Sequence, residues 1–254
     1  MNFTKLENSL SRQLSRLEGI VALKVLFLND KNQFDYNSTI EFWAASVIKV
    51  PTACAFYNMA TEQKLDTNQL VNIDKPNYVK GSGLLKLLNR KDKFTYDDLI
   101  TLMLTISDNT AANQILDYVN PEYVEKYAKS IGLRKTTCRH KMMLKAGKGP
   151  NITTAEDMTL LLQKLYNNEV FGSKRILNIM QEQLDRSRVP RLLPNNVAVS
   201  YKNGSLPKAM HEIAIVYGKE PFTFCFFSDD QEDKELTNKV LSNCAKICFD
   251  YSMR

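Results

Sequence analysis

The sequence predicts an α+β fold, in which an antiparallel sheet is flanked by N- and C-terminal helices and carries an all-helical insertion. Three observations predict it. Short β-rich runs lie towards both ends of the chain, at residues 20–28 and 197–227. Amphipathic helical patterns fill the middle, and a helical pattern also opens and closes the chain. A sheet assembled from both ends of the chain follows from this order.

The elements can be justified one after another. Leucines at three- and four-residue steps predict a first helix that Gly19 ends. Strands are expected at residues 20–28 and 34–37, and a helix at 44–60. The remaining helices are predicted at 96–106, 111–119, 121–130, 153–167, 174–184 and 235–251. The remaining strands are predicted at 197–202, 213–217 and 222–227, with Asn203 and Gly204 as turn residues after the first of them.

This order divides the chain into two parts. Residues 1–50 plus 192–254 are predicted to form a sheet domain, and residues 51–191 a helical domain. Functional residues are expected where the two parts meet.

Composition excludes several classes of protein. The chain has 254 residues with 34 Lys+Arg against 28 Asp+Glu, a net charge of +6, and 44% apolar residues, as in ordinary globular proteins. No apolar run approaches the ~20 residues of a membrane span. The basic residues do not cluster on one reading element, so no nucleic-acid partner is expected. The oligomeric state stays open.

The cysteines and histidines indicate neither a metal site nor a cofactor. Five cysteines form no C-x-x-C pair, and the only histidines, His140 and His211, lie far apart in sequence. The odd number of cysteines fits a reducing compartment. Because the N-terminal residues also show no visible signal peptide, a cytoplasmic location is expected.

Ser46 and Lys49 form the first candidate site. On a helix these positions share one face, so the lysine amine can reach the serine hydroxyl and act as its base. Alone the pair is a weak signal, since Ser205 and Lys208 repeat the same spacing. A helix-capping role for Ser46 is then the simpler interpretation.

Two further polar triplets have structural interpretations when taken singly. Ser107-Asp108-Asn109 follows an apolar helix and suits a helix–helix turn. Lys202-Asn203-Gly204 follows a strand and suits a hairpin turn. The order and spacing of the three motifs are more informative than any one motif alone. Ser107 lies 61 positions after Ser46, and Lys202 lies 95 positions after Ser107.

With these three motifs in this order, the sequence resembles the class A β-lactamases and their penicillin-binding relatives. The resemblance covers most of the chain and extends to residues 44–51, 81–85, 103–113, 151–158 and 211–216. It implies a β-lactamase/transpeptidase-like fold and serine acyl transfer.

The resemblance also implies roles for individual residues. Ser46 is expected to be the acylated nucleophile, and Lys49 its proton partner. Ser107 is expected to relay a proton to the leaving nitrogen, and Lys202 to supply a positive charge near the substrate carboxylate. Backbone N–H groups of Ser46 and Ser205 would form the oxyanion hole.

The expected substrate-binding set comprises Asn109, Asn203 and Gly204, with Asn109 at the acylamide side chain of the substrate. Arg186, Arg188 and Arg191 either add a carboxylate contact or form a solvated basic face. Asn203 departs from the family pattern, which usually has a hydroxyl residue there, so its hydrogen-bonding reach differs.

The larger departure concerns the omega loop. The family carries a glutamate there that activates the water releasing the acyl-enzyme. From Lys126 through Ala155 this sequence has no Asp or Glu, whereas it has eight Lys and Arg. His140 lies in this segment and could replace the missing base, although an exposed loop histidine is the simpler interpretation.

The sequence therefore predicts a serine hydrolase of the class A β-lactamase type that opens β-lactams through a Ser46 acyl-enzyme and deacylates slowly. The expected partner is a small-molecule β-lactam or an acyl-peptide. Two alternatives stay open. One is a D-Ala-D-Ala-type peptidase, esterase or amidase acting on an unknown acyl substrate. The other is a non-hydrolytic ligand-binding relative.

Overall fold

A computed structural model describes residues 2–89, 93–144 and 149–254. Its centre is a five-stranded antiparallel sheet with strand order β2-β1-β9-β8-β7. The strands are β1 (Ile20–Phe27), β2 (Gln33–Tyr36), β7 (Val199–Ser205), β8 (Met210–Val216) and β9 (Phe222–Asp229). Two short pairs complete the described strands: β3 (Phe42–Trp43) with β6 (Ile152–Thr153), and β4 (Leu70–Asn72) with β5 (Lys93–Thr95).

Eight α-helices surround the sheet in the described ranges. They are α1 (Phe3–Leu14), α2 (Lys49–Glu62), α3 (Tyr96–Thr105), α4 (Asn109–Val119), α5 (Pro121–Ser130), α6 (Ala155–Tyr166), α7 (Ser173–Gln181) and α8 (Lys234–Ser252). A 3-10 helix, Ala45–Ile48, leads directly into α2. None of these helices has the combination of length and apolar character required to cross a bilayer.

The sheet is buried on both faces, and the alternation of strand residues decides which core each side chain enters. On β1, Leu23 and Val25 pack in one cluster with side chains of α1 and α8. Ala22 and Leu26 enter a second cluster, shared with α2, α3, α4 and α6. This second cluster therefore joins the helical region to one face of the sheet in a single apolar core.

The predicted fold class is confirmed. The sheet joins strands from both ends of the chain, and α1 and α8 pack together on one of its faces. The predicted helix starts rest on identifiable caps, such as Thr95, which accepts from the backbone N–H of Asp98 in a capping box. The domain boundaries at residues 50 and 192 stay a prediction.

One turn assignment is wrong. Asn203 and Gly204 do not end a strand; they lie inside β7, where they pair with Glu212 and His211 of β8. The chain turns after Ser205 instead, where Leu206 and Ala209 exchange backbone hydrogen bonds. Asn-Gly favours a hairpin only where both residues can take positive φ, and here the neighbouring strand holds them extended.

Candidate active site

Ser46 lies in the 3-10 helix that precedes α2, at the junction of the sheet and the helical region. The residue before it, Ala45, has a φ of 45°, a conformation that costs free energy for any residue with a Cβ. This kink at Ala45 turns the chain from β3 into the helix that carries Lys49.

The amine of Lys49 lies 3.2 Å from the hydroxyl oxygen of Ser46 and 3.0 Å from that of Ser107. It also donates to the carbonyl oxygen of Ser107 and to Oδ1 of Asn109, both at 2.7 Å. A neutral amine has two hydrogens and one lone pair. The two acceptors take the two hydrogens, so the lone pair is left to receive a hydroxyl proton from one of the serines.

The surroundings of Lys49 favour this neutral form. Its side chain is 1% exposed, and burial, followed by the nearby charge of Lys202, lowers the pKa of Lys49 well below its usual range. Asp108 acts in the opposite direction and does not offset the burial. A buried, neutral lysine beside a serine hydroxyl is suited to act as a general base.

Ser107 sits between α3 and α4 with a φ of 58°. Asp108 makes this turn possible, because its carboxylate caps α4 at the N–H of Ala111 and accepts the backbone N–H groups of Leu84 and Leu85. Asp108 is thus a structural member of the triplet. It fixes the turn that aims the hydroxyl and carbonyl of Ser107 at Lys49.

Asn109 and Asn113 lie one turn apart on α4 and therefore share a face. Asn109 uses its oxygen for Lys49, and its amide nitrogen donates to the carbonyl of Lys80 at 3.2 Å. Asn113 holds the backbone of Met142 by two hydrogen bonds. Through these contacts α4 positions both Lys49 and the backbone of Met142, which lines a cavity together with Ser46.

Strand β7 brings Lys202 and Asn203 to the opposite side of the site. Lys202 is fully buried, and its amine donates to the carbonyl and side-chain oxygens of Asn203. Burial, reinforced by the charge of Arg188, lowers the pKa of Lys202 to about 7. The amide nitrogen of Asn203 donates to Asp185 at 2.7 Å, so both ends of this amide are already engaged.

Gly204 allows β7 to approach the nucleophile. A Cβ placed on Gly204 would lie 3.2 Å from Cβ of Ala45 and 3.3 Å from the backbone nitrogen of Ser46. A residue with a side chain at this position would press on Ala45 and Ser46, so the close approach of β7 to the nucleophile requires a glycine. Its neighbour Ser205 ends the strand beside Ser46 and accepts a 2.5 Å hydrogen bond from Arg188.

Arg188 is the buried member of the arginine trio. It donates to the carbonyl oxygens of Gly204 and His211 at 3.0 and 2.7 Å, so it ties β7 to β8 directly beside the site. Arg186 and Arg191 are exposed. The solvated-face interpretation therefore fits these two and is wrong for Arg188.

Glu212, to which the sequence analysis assigned no role, is the partner of Arg188. It is fully buried on β8, accepts the backbone N–H of Val189 at 2.8 Å, and lies 4.0 Å from the Arg188 guanidinium. Its second oxygen has no hydrogen-bond partner among the described residues. Burial raises the pKa of Glu212 to about 7, against the opposing charge of Arg188.

Two cavities meet at the nucleophile, and Ser46, Ser82 and Ser205 line both. The smaller, of about 370 Å3, is polar, and its lining includes Ser107, Gln183, Asp185, Arg188 and Asn203. The larger, of about 820 Å3, has no charged side chain among its described lining residues. Its apolar lining side chains are Trp43, Ala45, Met142, Met143, Leu144, Pro150 and Leu206.

His140 also lines the larger cavity and is half-buried. Its Nδ1 lies 2.7 Å from the carbonyl oxygen of Lys141. Because a carbonyl only accepts, Nδ1 carries the hydrogen, and the neutral ring has its lone pair on Nε2. The ring is therefore half-buried and held by a local hydrogen bond, which differs from the expectation of an exposed loop histidine.

The structure brings Ser46, Lys49, Ser107, Asn109, Asn203, Gly204 and Ser205 to one site, with Lys202 bonded to Asn203 beside them. Lys208 of the second Ser-x-x-Lys pair is exposed and pairs with Glu232. Lys145 and Lys148 of the cationic run lie outside the described residues. Within the described ranges, no group of three or more His, Cys, Asp or Glu is placed to hold a metal ion.

The fold recurs in solved structures with low sequence identity. The crystal structure of the TLA-3 extended-spectrum β-lactamase superposes with a TM-score of 0.92 at 21% identity, covering 100% of each chain. The structure of PBP-A gives a TM-score of 0.89 at 20% identity, covering 98% of this chain and 96% of that one. These neighbours show that the chain has the fold of the class A β-lactamases.

Sequence comparison places the chain within a family. The model of the beta-lactamase enzyme family matches residues 5–252, so the chain belongs to this family. Among curated relatives, β-lactamase VEB-1 of Pseudomonas aeruginosa is 23% identical, covering 97% of this chain and 89% of its own length. β-Lactamase CARB-3 of the same organism is 26% identical, covering 90% and 79%.

Proposed function

We propose that this protein opens β-lactams through an acyl-enzyme on Ser46 and releases the acyl group slowly. The observation that carries the proposal is the 3.2 Å approach of the buried Lys49 amine to the Ser46 hydroxyl. Burial favours the neutral amine, which is the form able to accept the serine proton.

The contacts support a definite sequence of proton transfers. Lys49 takes the proton as Ser46 Oγ attacks the lactam carbonyl, and backbone N–H groups of Ser46 and Ser205 stabilise the oxyanion. The C–N bond then breaks. Lys49 returns a proton to the leaving nitrogen through the hydroxyl of Ser107, which lies 3.0 Å from its amine. The positive charge of Lys202 favours a substrate that carries a carboxylate.

Release of the acyl group needs a base for the attacking water, and the described wall of the larger cavity offers no carboxylate. The described residues that line the larger cavity include Met142 and Met143 but no Asp or Glu. Loss of a general base typically costs about 10²- to 10⁴-fold in rate. The acyl-enzyme is therefore expected to accumulate after one turnover.

Intact-mass measurement over time, after mixing with penicillin G, tests this function. The wild type is expected to gain one penicillin mass within the first turnover and to lose it slowly, whereas Ser46→Ala gains none. Rapid, complete turnover without a trapped adduct would contradict slow deacylation. The absence of both adduct and turnover would contradict β-lactam chemistry, and an unchanged adduct in Ser46→Ala would move the nucleophile to another serine such as Ser205.

Substitution of His140 tests whether its ring is the base that drives deacylation. We expect His140→Ala to leave the lifetime of the adduct unchanged, because the hydrogen bond of its ring joins the carbonyl oxygen of Lys141 and not Ser46 or Lys49. A longer-lived adduct in this variant would identify His140 as the deacylation base.

A peptidase, esterase or amidase would use the same acylation apparatus on another acyl compound. Such an enzyme hydrolyses a chromogenic ester with many turnovers while forming a dead-end adduct with penicillin. A non-hydrolytic relative forms an adduct, or binds reversibly, and turns over neither substrate.

A further inference from the structure

The smaller cavity at Ser46 contains a negative charge that the acylation chemistry does not use. Asp185 lines this cavity, is half-buried, and is the only acidic side chain among the described lining residues. The one basic side chain among them, Arg188, is buried, and its guanidinium donates to three oxygen atoms of β7 and β8. Arg188 is thus engaged with the strands, whereas the carboxylate of Asp185 faces a space that a ligand can enter.

The segment that carries Asp185 is held in place on both sides. The side-chain amide of Gln183 donates to the carbonyl oxygen of Leu104 at 3.1 Å, and its backbone carbonyl accepts from the hydroxyl of Tyr201 at 2.8 Å. The carboxylate of Asp185 itself accepts from the backbone N–H of Ser187 at 3.1 Å. Asp185 is therefore presented to the cavity in a defined position, which lowers the cost of binding a ligand there.

Asp185 is ionised and has acceptor capacity to spare. Partial burial acts to raise the pKa of Asp185, but hydrogen bonds from Ser187 and the charge of Arg188 outweigh it, and the pKa lies below its usual value. A carboxylate offers about four acceptor sites, and among the described residues Ser187 and the amide nitrogen of Asn203 occupy two. A ligand ammonium group complements both the charge and the remaining acceptor sites.

Asn203 joins this carboxylate to the basic side of the site. Its side-chain oxygen accepts from Lys202 at 3.1 Å, and its nitrogen donates to Asp185 at 2.7 Å. A positive and a negative group therefore lie at the two ends of one amide. A ligand that carries a carboxylate and an ammonium group complements this pair better than a ligand that carries a carboxylate alone.

The proton route places the leaving part of a substrate in the same cavity. Ser46 and Ser107 both line it, and the hydroxyl of Ser107 can pass a proton from Lys49 to the leaving atom. The group attached to that atom therefore occupies the cavity that Asp185 lines.

We propose that Asp185 is a specificity-determining residue that binds an ammonium group on the leaving part of the substrate. The inference rests on the proposed Ser46 acyl transfer and names its substrate class: esters or amides whose leaving part carries an ammonium group, alone or beside a carboxylate that Lys202 attracts. Ser46 Oγ bonds to the acyl carbon, the bond from that carbon to oxygen or nitrogen breaks, and the leaving atom receives the serine proton. Water then hydrolyses the acyl ester and restores Ser46.

Forms of penicillin G that differ only at the carboxyl group vary the charge of the leaving part and keep the acyl group constant. Penicillin G itself is anionic there, its 2-(diethylamino)ethyl ester is cationic, and its 3-ethylpentyl ester has the shape of the cationic ester without the charge. We expect the acylation rate constant at limiting substrate, measured by intact mass, to be about tenfold or more higher for the cationic ester than for the neutral one. Equal rates for the two esters, or a faster neutral ester, would overturn the proposal.

Asp185→Asn removes the charge and keeps the size of the side chain. We expect it to lower acylation by the cationic ester about tenfold, to leave the neutral ester nearly unchanged, and to raise acylation by penicillin G, whose carboxylate is no longer repelled. Glu182→Gln removes an exposed carboxylate from the same segment, outside both cavities, and should change none of the three rates. Equal losses with all three substrates would give Asp185 a structural role only.

Binding to Ser46→Ala separates this inference from the proposed function, because this variant lacks the nucleophile. Both esters are titrated calorimetrically into Ser46→Ala and into the double variant Ser46→Ala/Asp185→Asn. Tighter binding of the cationic ester that is lost in the double variant supports the inference even if no penicillin acylates the wild type, a result that would sink only the proposed function. Equal binding of both esters, binding of neither, or a preference that persists in the double variant contradicts the role of Asp185.

Discussion

Asn113 holds Met142 by both backbone groups, accepting its N–H at 2.7 Å and donating to its carbonyl at 3.1 Å. The two hydrogen bonds fix the loop position that faces the nucleophile cavity, and they do so without involving the side chain at position 142. The side chain that fills this position is thioether rather than carboxylate. Asn113 therefore holds the backbone of residue 142 beside the cavity, but the methionine side chain there cannot act as a general base.

A carboxylate at this position should restore part of the missing step. We expect Met142→Glu to shorten the lifetime of the penicillin adduct at least tenfold, because a general base contributes about 10²- to 10⁴-fold when well placed. The decay of the adduct by intact mass measures it. Met143→Glu carries the same charge one residue further along, without the Asn113 anchor, and should shorten the lifetime less. An unchanged lifetime in Met142→Glu would show that the wall does not reach the acyl ester.

The pH dependence of acylation should report on the two buried lysines. The rate is expected to rise with pH until Lys49 is neutral, and because burial lowers the pKa of Lys49, that rise comes at a lower pH than for an ordinary lysine. Lys202, whose pKa is about 7, is charged below that pH and neutral above it. Acylation by an anionic penicillin should therefore fall again above about pH 7.

The methyl ester of the same penicillin is the matched control, since it has no carboxylate for Lys202 to attract. Its acylation should reach a plateau and lack the alkaline decline. Identical alkaline limbs for acid and ester would assign that limb to another group.

Glu212 should make the protein less stable as the pH rises. Its pKa is raised from 4.5 to about 7 in the folded state, so folding favours the protonated form. The associated stabilisation is complete below about pH 4.5 and is lost as the pH passes through about 7. A shift of this size corresponds to about 3 kcal/mol.

Urea unfolding of the wild type and Glu212→Gln at pH 5 and pH 8 measures this linkage. The variant should lose less stability than the wild type between the two pH values, whereas the exposed Glu182→Gln should behave as the wild type does. Equal losses in the wild type and Glu212→Gln would mean that Glu212 stays ionised throughout.

Gly204→Ala should lower acylation with little effect on folding. The added methyl group would press on Ala45 and on the backbone nitrogen of Ser46 at 3.2–3.3 Å, so β7 or the nucleophile turn must shift by a few tenths of an ångström. We expect at least a tenfold drop in acylation rate, since small displacements of reacting groups are costly. The adduct formation rate and a thermal melt of the same sample distinguish misplacement from misfolding; an unchanged rate would show that the contact is soft.

Part of the site was predictable from residues close together in the chain, and the roles expected of Ser107, Lys202 and Ser205 came from the resemblance to the class A β-lactamases. Ser46 and Lys49 are one helical turn apart, and their hydroxyl and amine meet as the spacing requires. The cap at Thr95 and the polar turn at Ser107 follow from side-chain chemistry within three or four residues. Where the local signal was ambiguous, at Asn203-Gly204, the interpretation failed because pairing with β8 overrides turn preference.

The sequence by itself determined the fold class, the order of the elements and the three motifs, because helix periodicity, strand runs and the residues of each motif are all properties of short stretches of chain. The tertiary structure decided which distant groups become neighbours. It buried Arg188 against Glu212, placed Trp43 and the Met142 segment around one cavity, and surrounded Lys49 with Ser107 and Asn109. These relationships depend on burial and on contacts across many residues, and the energies that set the charge states of the lysines and of Glu212 exist only once water has been excluded.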